Sequence, residues 1–211
     1  MQENASTVLV IEDDVALRDS LGRLLRSVGL HALLFGSVSE FLKCDPTDGP
    51  ACLVLDVRLP GQSGLNFQRE LAAANREIPI VFITGYGDIR MSVQAMKDGA
   101  IEFLTKPFRD EELLEAVRLG LARDRARRES EKILTALRER FGSLSPRERE
   151  IMIQVALGRL SKQIAHDIGI SEPTVKVHRS NAMRKMNAHS LPEFGRMAAK
   201  LGLAPEKSQG S

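Results

Sequence analysis

The segment LVLDVRLPG at residues 53–61 joins a continuous apolar run to an acidic residue and a turn. Such a run is typical of a parallel strand that is covered on both faces. Asp56 follows the run directly. An unpaired carboxylate at the end of a buried strand is desolvated, and this destabilises a fold. The same position is well suited to a functional residue, because open α/β sheets have their binding and catalytic sites beyond the carboxyl ends of their strands.

Three other strand-like runs also end in polar side chains. These are Glu12 and Asp13 after residues 7–11, Thr84 after residues 80–83, and Lys106 shortly after residues 101–104. If the strands are parallel neighbours, these groups and Asp56 meet at one edge of the sheet. That convergence of carboxylates, a hydroxyl and an ammonium is the main indication of function.

Strand-like and helix-like patterns alternate through the first 120 residues. A further strand is predicted at residues 31–35 and a short helix at residues 38–42. Apolar residues at helical spacing predict longer helices at residues 15–28, 64–74 and 89–96. Five βα units of this kind predict a parallel sheet with helices on both faces.

The rest of the chain is predicted to be helical. Residues 123–132 are almost entirely charged and lack Pro and Gly, which favours an exposed helical linker at residues 121–141; a disordered tether is the alternative. Four short helices are predicted after it, at about residues 146–157, 161–168, 171–186 and 191–201. Gly169, between the second and third, is typical of a helix-turn-helix. Residues 205–211 are predicted to form a disordered tail.

Length and composition favour a soluble protein of two small domains. The chain has two cysteines, no signal-peptide pattern and no apolar run of membrane-spanning length, so we expect a cytoplasmic protein without membrane association. Residues 1–120 carry 12 Lys/Arg and 18 Asp/Glu, a formal charge of −6, whereas residues 141–211 carry 11 and 6, a charge of +5. This asymmetry fits a switch joined to a nucleic-acid binder, with solvated surface charge as the alternative.

The predicted cluster of polar side chains suits phosphoryl transfer. Glu12, Asp13 and Asp56 offer hard oxygen donors of the kind that Mg²⁺ prefers. Asp56 is the natural nucleophile, because it stands at a strand end before a tight turn. Lys106 can pair with phosphoryl oxygens, and the Thr84 hydroxyl can donate to one of them. Taken singly, each group is better explained as a solvated loop residue.

The first part of the chain closely resembles the receiver domain of two-component response regulators. The resemblance rests on VIEDD (residues 10–14), LDVRLPG (55–61), ITG (83–85) and TKPF (105–108). It implies an α/β doubly wound, flavodoxin-like receiver domain at residues 1–120, built on a five-stranded parallel sheet. It also implies that a sensor histidine kinase phosphorylates Asp56 and that the peptide before Pro107 is cis.

The receiver resemblance further implies Mg²⁺ as the cofactor and a conformational switch. Asp13, Asp56 and the backbone carbonyl of Arg58 would bind the ion, with Glu12 acting through water in place of the commoner Asp. On phosphorylation, Thr84 would move toward the phosphoryl group and Phe103 would rotate into the vacated space. The surface at about residues 88–103 would then pair with its copy in a homodimer. Packing of a strand residue on a helix is the alternative role of Phe103.

The last part of the chain resembles the LuxR-type helix-turn-helix. The motifs are LSPRERE (residues 144–150), SKQIA (161–165) and TVKVH (174–178). They imply an all-α, four-helix DNA-binding domain at residues 142–204. Joined to a receiver, it is similar to the FixJ-like (NarL/LuxR) response regulators, which regulate transcription.

The third helix of this domain is expected to read DNA. Its core positions are Val175, Ala182 and Met186 at helical spacing. The opposite face presents side chains for the major groove and its phosphates, namely Lys176, Val177, Ser180 and Arg184. Thr174 and Lys162 are further candidates for phosphate contacts. A solvated basic face is the alternative interpretation.

The leading hypothesis is therefore a response regulator, activated by phosphorylation of Asp56, that dimerises, binds promoter DNA and has RNA polymerase as a possible further partner. We expect no enzymatic activity beyond assistance of its own phosphoryl transfer and dephosphorylation. One alternative is a phosphatase of the haloacid dehalogenase type, which needs a second acid where this chain has Arg58. Another is a regulator that binds DNA constitutively or answers a metabolite. The sequence names no signal, kinase or promoter, and it does not distinguish activation from repression.

Overall fold

The computed structural model describes residues 6–45, 47–85 and 89–203. Internal contacts divide the chain into two compact units, one that ends at Arg128 and one that begins at Glu129. The predicted tail at residues 205–211 lies outside the described residues, as does Asp88 at the start of the predicted dimer surface.

A five-stranded parallel sheet forms the centre of the first unit. Its strands are β1 (Thr7–Ile11), β2 (His31–Phe35), β3 (Ala51–Asp56), β6 (Ile80–Thr84) and β7 (Glu102–Thr105), and their order across the sheet is β2-β1-β3-β6-β7. A small antiparallel hairpin of β4 (Arg58–Leu59) and β5 (Gln62–Ser63) directly follows β3. The hairpin is absent from the sequence-based prediction.

Helices cover both faces of the sheet. They are α1 (Val15–Ser27), α2 (Val38–Phe41), α3 (Gly64–Ala73), α4 (Ile89–Lys97) and α5 (Asp110–Gly142). Alternate strand residues point to opposite faces, so Leu53 and Leu55 pack in one buried cluster and Cys52 and Val54 in another. Burial on both faces explains why β1, β3 and β6 lack polar alternation. The predicted doubly wound α/β fold is confirmed.

Helix α5 continues without interruption through the predicted linker, so the helical alternative is confirmed over the disordered tether. The expectation of an exposed linker is wrong at Asp124, which is only 1% exposed. The Asp124 carboxylate accepts the backbone N–H of Ala51 at 2.8 Å and pairs with the guanidinium groups of Arg127 and Arg128 at 2.6 and 2.7 Å. These partners replace the water that a charge otherwise requires.

The second unit contains α6 (Pro146–Ala156), α7 (Ser161–Ile168), α8 (Glu172–Met186) and α9 (Leu191–Lys200). Ser145 caps α6 in a reciprocal capping box with Glu148, and Pro146 occupies the first turn. Gly169 ends α7 with a φ of +68°, a left-handed conformation that favours glycine. The core positions predicted for α8, Val175, Ala182 and Met186, are all fully buried.

No helix within residues 6–45, 47–85 and 89–203 has both the length and the apolar character needed to cross a bilayer.

Candidate functional site

Three carboxylates lie together at the carboxyl edge of the sheet. Strand β1 pairs with β3 so that Ile11 lies opposite Leu55, which brings the residues that follow, Glu12 and Asp56, side by side. One oxygen from each of Glu12, Asp13 and Asp56 lies within 4.8 Å of the others. Glu12 and Asp56 are buried, whereas Asp13 is exposed. The cluster is therefore open to solvent on the side of Asp13.

Lys106 joins the two buried carboxylates. The pairing of β6 with β7 sets Thr84 opposite Thr105, and the backbone N–H of Lys106 donates to the Thr84 carbonyl at 2.7 Å. Its ammonium lies 2.5 Å from Oδ2 of Asp56 and 2.8 Å from Oε2 of Glu12. The Lys106–Pro107 peptide is cis, as the resemblance implies. One cation thus compensates two neighbouring anions.

The protonation of this cluster reflects burial and mutual charge. Burial raises the pKa of Glu12 above its usual range, and the charge of Asp56 acts in the same direction, against the opposing hydrogen bond from Lys106. Burial alone lowers the pKa of Lys106, but hydrogen bonds to Asp56 and Glu12 outweigh it and hold that pKa above its usual value. Lys106 is accordingly a cation at neutral pH, while the raised pKa of Glu12 makes this carboxyl group easier to protonate than an ordinary glutamate.

Backbone contacts fix the position of Asp56. The N–H of Arg58, the first residue of the hairpin, donates to Oδ1 of Asp56 at 2.8 Å. The N–H of Gly64 donates to the carbonyl of Val57 at 2.9 Å. A Cβ built on Gly64 would lie 2.4 Å from the carbonyl oxygen of Asp56, so α3 can begin this close to β3 only with glycine. The hairpin thus holds the carboxylate of Asp56, and the start of α3 packs against the backbone on either side of it.

The other predicted residues of the receiver site lie on the two adjoining strands. Thr84 is fully buried at the end of β6, one residue beyond Ile83, which pairs with Asp56. Phe103 lies opposite Phe82 in the pairing of β6 with β7, and the two ring centroids are 6.1 Å apart. The sheet therefore brings Thr84 to the acidic edge and leaves Phe103 on the side of the sheet covered by α4.

Two contributors to this site are absent from the sequence-based prediction. Arg18 on α1 donates to the backbone carbonyl of Glu12 at 2.6 Å and to that of Asp13 at 3.3 Å. Asp14 caps α1 by accepting the N–H of Leu17 at 2.9 Å. An aspartate just before a helical run is a recognisable capping signal, but no local pattern indicates the contacts of Arg18.

The donors of the acidic edge fit a hard divalent cation. All three carboxylates offer oxygen ligands, the ligand type of Mg²⁺ and Ca²⁺. With Lys106 protonated and the acids ionised, the group retains a net negative charge, and the exposure of Asp13 gives an ion access to it. The acidic cluster can therefore bind a metal ion.

A second candidate site lies on the helix-turn-helix. The side chains predicted to contact DNA are all on exposed residues, namely Lys162 on α7 and Thr174, Lys176, Val177, Ser180 and Arg184 on α8. Arg179, which the sequence-based prediction omits, donates from α8 to the hydroxyl of Ser161 on α7 at 2.9 Å. This contact fixes the two helices relative to each other.

Comparisons with known proteins identify the domains that carry the two candidate sites. The sequence model of the response regulator receiver domain matches residues 8–118, and that of the LuxR family of bacterial regulatory proteins matches residues 142–198. The chain is 51% identical over 202 residues to nodulation protein W of Bradyrhizobium diazoefficiens, covering 96% of this chain and 89% of that protein. It is 43% identical over 198 residues to the transcriptional regulatory protein FixJ of Azorhizobium caulinodans, covering 94% of each. The solved structure of the response regulator StyR superposes with a TM-score of 0.82 at 44% identity, over 93% of this chain and 99% of that one.

Proposed function

Because the chain belongs to the two-component response regulators of the FixJ-like type, with a receiver domain and a LuxR-type DNA-binding domain, we propose that phosphorylation of Asp56 controls its action as a transcription regulator. A phosphodonor kinase and double-stranded DNA are the partners that these domains imply. The observation that carries the proposal is the contact of Lys106 with both Asp56 and Glu12 beside exposed Asp13.

The proposed reaction transfers a phosphoryl group from a phosphohistidine of a sensor histidine kinase. A carboxylate oxygen of Asp56 attacks phosphorus, the P–N bond to the histidine breaks, and the imidazole leaves with the electron pair of that bond. Lys106 already contacts Oδ2 of Asp56 at 2.5 Å, so its ammonium is placed to neutralise charge on the transferred group. The Thr84 hydroxyl would donate to a phosphoryl oxygen.

Mg²⁺ is the proposed cofactor, held by Asp13, Asp56 and the backbone carbonyl of Arg58, with Glu12 contributing through water. When bound, the ion supplies neutralisation of the acidic edge and of the incoming phosphoryl group. The chain would not be an enzyme toward other substrates; it would assist only its own phosphorylation and dephosphorylation. Arg58 argues against a phosphatase of the haloacid dehalogenase type, because it stands where that class needs an acid.

The proposed output is a homodimer formed through α4 and β7. Ile89, Val93 and Met96 on α4 are 82%, 46% and 44% exposed, an apolar face that a second copy can cover. Phe103 lines the adjoining groove with Val93 and Met96, so a rotation of its ring in response to Thr84 would change that face. Such a switch is a two-state equilibrium that phosphorylation biases.

The proposed DNA interface is the exposed face of α8. Lys176 would donate to a guanine edge and Val177 would contact a thymine methyl group in the major groove. Ser180, Arg184, Thr174 and Lys162 would contact phosphates. As a regulator of promoters, the protein would act in the cytoplasm, with RNA polymerase as a further partner.

Phosphorylation is tested with Asp56→Asn in the full chain, treated with acetyl phosphate and Mg²⁺. We expect the unchanged protein to gain one phosphoryl group by mass spectrometry, to dimerise in sedimentation, and to bind DNA more tightly. Asp56→Asn should show none of these changes. Asp19→Asn, an exposed acid of α1, is the matched control and should respond as the unchanged protein does. Equal DNA affinity of the unchanged protein before and after treatment would contradict the switch.

The metal is tested separately by thermal unfolding with increasing Mg²⁺. A ligand that binds only the folded state raises its stability with concentration, so the receiver unit should unfold at higher temperature. Asp13→Asn should lose most of this shift, whereas Asp19→Asn should keep it. An equal shift in Asp13→Asn would exclude Asp13 as a ligand.

A further inference from the structure

The face of α8 that carries the proposed DNA contacts also carries an acid. Glu172, in the first turn, is the one acidic residue of this helix. It lies one turn before Lys176, and residues at this spacing share a face. Its Oε1 is 2.8 Å from the ammonium of Lys176, and the side chains of Lys176 and Glu172 are 57% and 40% exposed. The acid therefore lies among cations that would approach DNA.

The charge of Glu172 is well defined. The hydrogen bond and charge of Lys176 lower the pKa of Glu172, and the charge of Lys162 on α7 acts in the same direction. The carboxylate is thus ionised at neutral pH and influenced by lysines from both helices of the motif. A carboxylate here opposes attraction to phosphates, which supplies most of the affinity for arbitrary DNA.

Within α8 this acid contributes only an ion pair and a negative charge in the first turn, where the helix dipole favours it slightly. Ser171 already caps α8, because its hydroxyl accepts the N–H of Thr174 at 3.3 Å. An exposed ion pair at this spacing adds little to the stability of a helix. Stabilisation of α8 therefore does not explain why a negative charge stands on a face otherwise suited to DNA.

Resting on the DNA contacts proposed above, we propose that Glu172 is a specificity-determining residue of the DNA-binding face. On arbitrary DNA, Glu172 competes with phosphates for Lys176 and repels them, so it lowers non-specific affinity. At the correct site, Lys176 donates a hydrogen bond to guanine, and Glu172 accepts one from the amino group of cytosine. That amino group is accessible only in the major groove. Each member of the ion pair thereby contacts a base edge in place of its partner, so the carboxylate of Glu172 remains hydrogen-bonded.

The first test measures binding of the full chain, treated with acetyl phosphate and Mg²⁺, to a labelled duplex of random sequence over a range of salt concentrations. Glu172→Gln should bind this duplex about three- to tenfold more tightly, because it removes a charge close to the phosphates. The dependence of log affinity on log salt should steepen by roughly one, the contribution of one phosphate contact. Equal affinity and equal salt dependence would overturn the proposal.

Glu150→Gln is the matched control. Glu150 also forms an exposed ion pair within one helix, with Arg147 at 2.6 Å, and its side chain is 41% exposed. The substitution removes the same charge from the same unit, so a general effect of net charge would strengthen binding in both variants equally. We expect the effect only in Glu172→Gln, and equal effects would overturn the proposal.

The second test selects binding sites from a pool of random duplexes with the unchanged protein and with Glu172→Gln. The variant should lose preference at one C·G position of each half-site and keep the others. Lys176→Met separates the two proposals, since it should weaken binding to selected sites if Lys176 contacts DNA at all. If Lys176→Met weakens binding but Glu172→Gln selects the same sites as the unchanged protein, only the proposed role of Glu172 is overturned. No effect of Lys176→Met would overturn the contact on which it rests.

Discussion

A Cβ built on Gly120 of α5 would lie 2.5 Å from Sγ of Cys52 in β3. Helix and strand therefore approach each other as closely as a glycine allows. Cys52 is fully buried, and burial together with the charge of Asp124 raises the pKa of its thiol to about 12. Its sulfur is thus a neutral packing group beneath α5, with no space for a larger neighbour.

Gly120→Ala should destabilise the receiver unit by about 1–3 kcal/mol, because the added methyl overpacks this contact. Calorimetric unfolding of the full chain measures the loss. Cys52→Ala should offset much of it in the double variant, since the next nearest atoms, Cβ of Cys52 and of Pro79, lie at 3.3 and 3.5 Å. Gly142→Ala in the same helix meets nothing within 4 Å and serves as the control. Equal losses for both glycines would contradict the packing argument.

Asp124→Ala should destabilise the same unit by about 2–4 kcal/mol, since it leaves the buried N–H of Ala51 without its acceptor and removes the carboxylate that pairs with two arginines. Amide hydrogen exchange should report the change locally, with strongly reduced protection of the Ala51 N–H. Glu115→Ala removes an exposed acid from the same helix and should change stability by no more than about 0.5 kcal/mol. Unaltered protection of Ala51 would show that another acceptor replaces the carboxylate.

Lys106→Met should destabilise the receiver unit at neutral pH, because two buried carboxylates then repel each other without a cation between them. A carboxyl group with a raised pKa binds its proton more tightly in the folded state, so it lowers stability as pH rises above the usual range of glutamate. The pKa of Glu12 should rise further in Lys106→Met. The loss of stability of this variant, relative to the unchanged protein, should therefore shrink on acidification. Urea unfolding at several pH values measures this, with exposed Lys43→Met as the control. A pH-independent loss would contradict the explanation.

Glu148→Gln should show the opposite pH dependence in the second unit. Burial raises the pKa of Glu148, but hydrogen bonds from Lys185 at 2.7 Å and from the Ser145 N–H at 2.8 Å outweigh it and hold that pKa below its usual value. Such a group stabilises the fold above its usual pKa, and the contribution is lost as pH falls through the folded value.

We expect Glu148→Gln to lose about 1–3 kcal/mol at neutral pH and progressively less below the ordinary glutamate pKa. Thermal unfolding of the full chain followed by circular dichroism measures this. Glu150→Gln, which alters a side chain that is 41% exposed, should lose no more than about 0.5 kcal/mol at any pH. Equal losses in the two variants would contradict the role of burial.

The parallel sheet and its acidic edge were predictable because their signals are local. Continuous apolar runs such as residues 51–55 identify buried strands, and the βα alternation then places Glu12, Asp56 and Lys106 at one edge. The start of α6 was predictable for the same reason, since Ser145 and Pro146 carry their capping signal in neighbouring residues.

What the sequence did not predict depends on contacts between distant residues. The β4–β5 hairpin has strands of two residues, too short for any periodicity. The charged stretch after Leu121 has the composition of solvated helix, and Asp124 is buried there only because Ala51, Arg127 and Arg128 surround its carboxylate. The contacts of Arg18 with the backbone after β1 likewise arise from the packing of α1.

The Asp124–Ala51 hydrogen bond bears on how a receiver fragment can be excised. The receiver match ends at residue 118, so a recombinant piece trimmed there would lack both Gly120 and Asp124. The first amide of β3, the strand that ends in Asp56, would then have lost its carboxylate acceptor. Chimeras that graft this receiver onto another output module should therefore place their fusion joint after Arg128, where the compact unit ends.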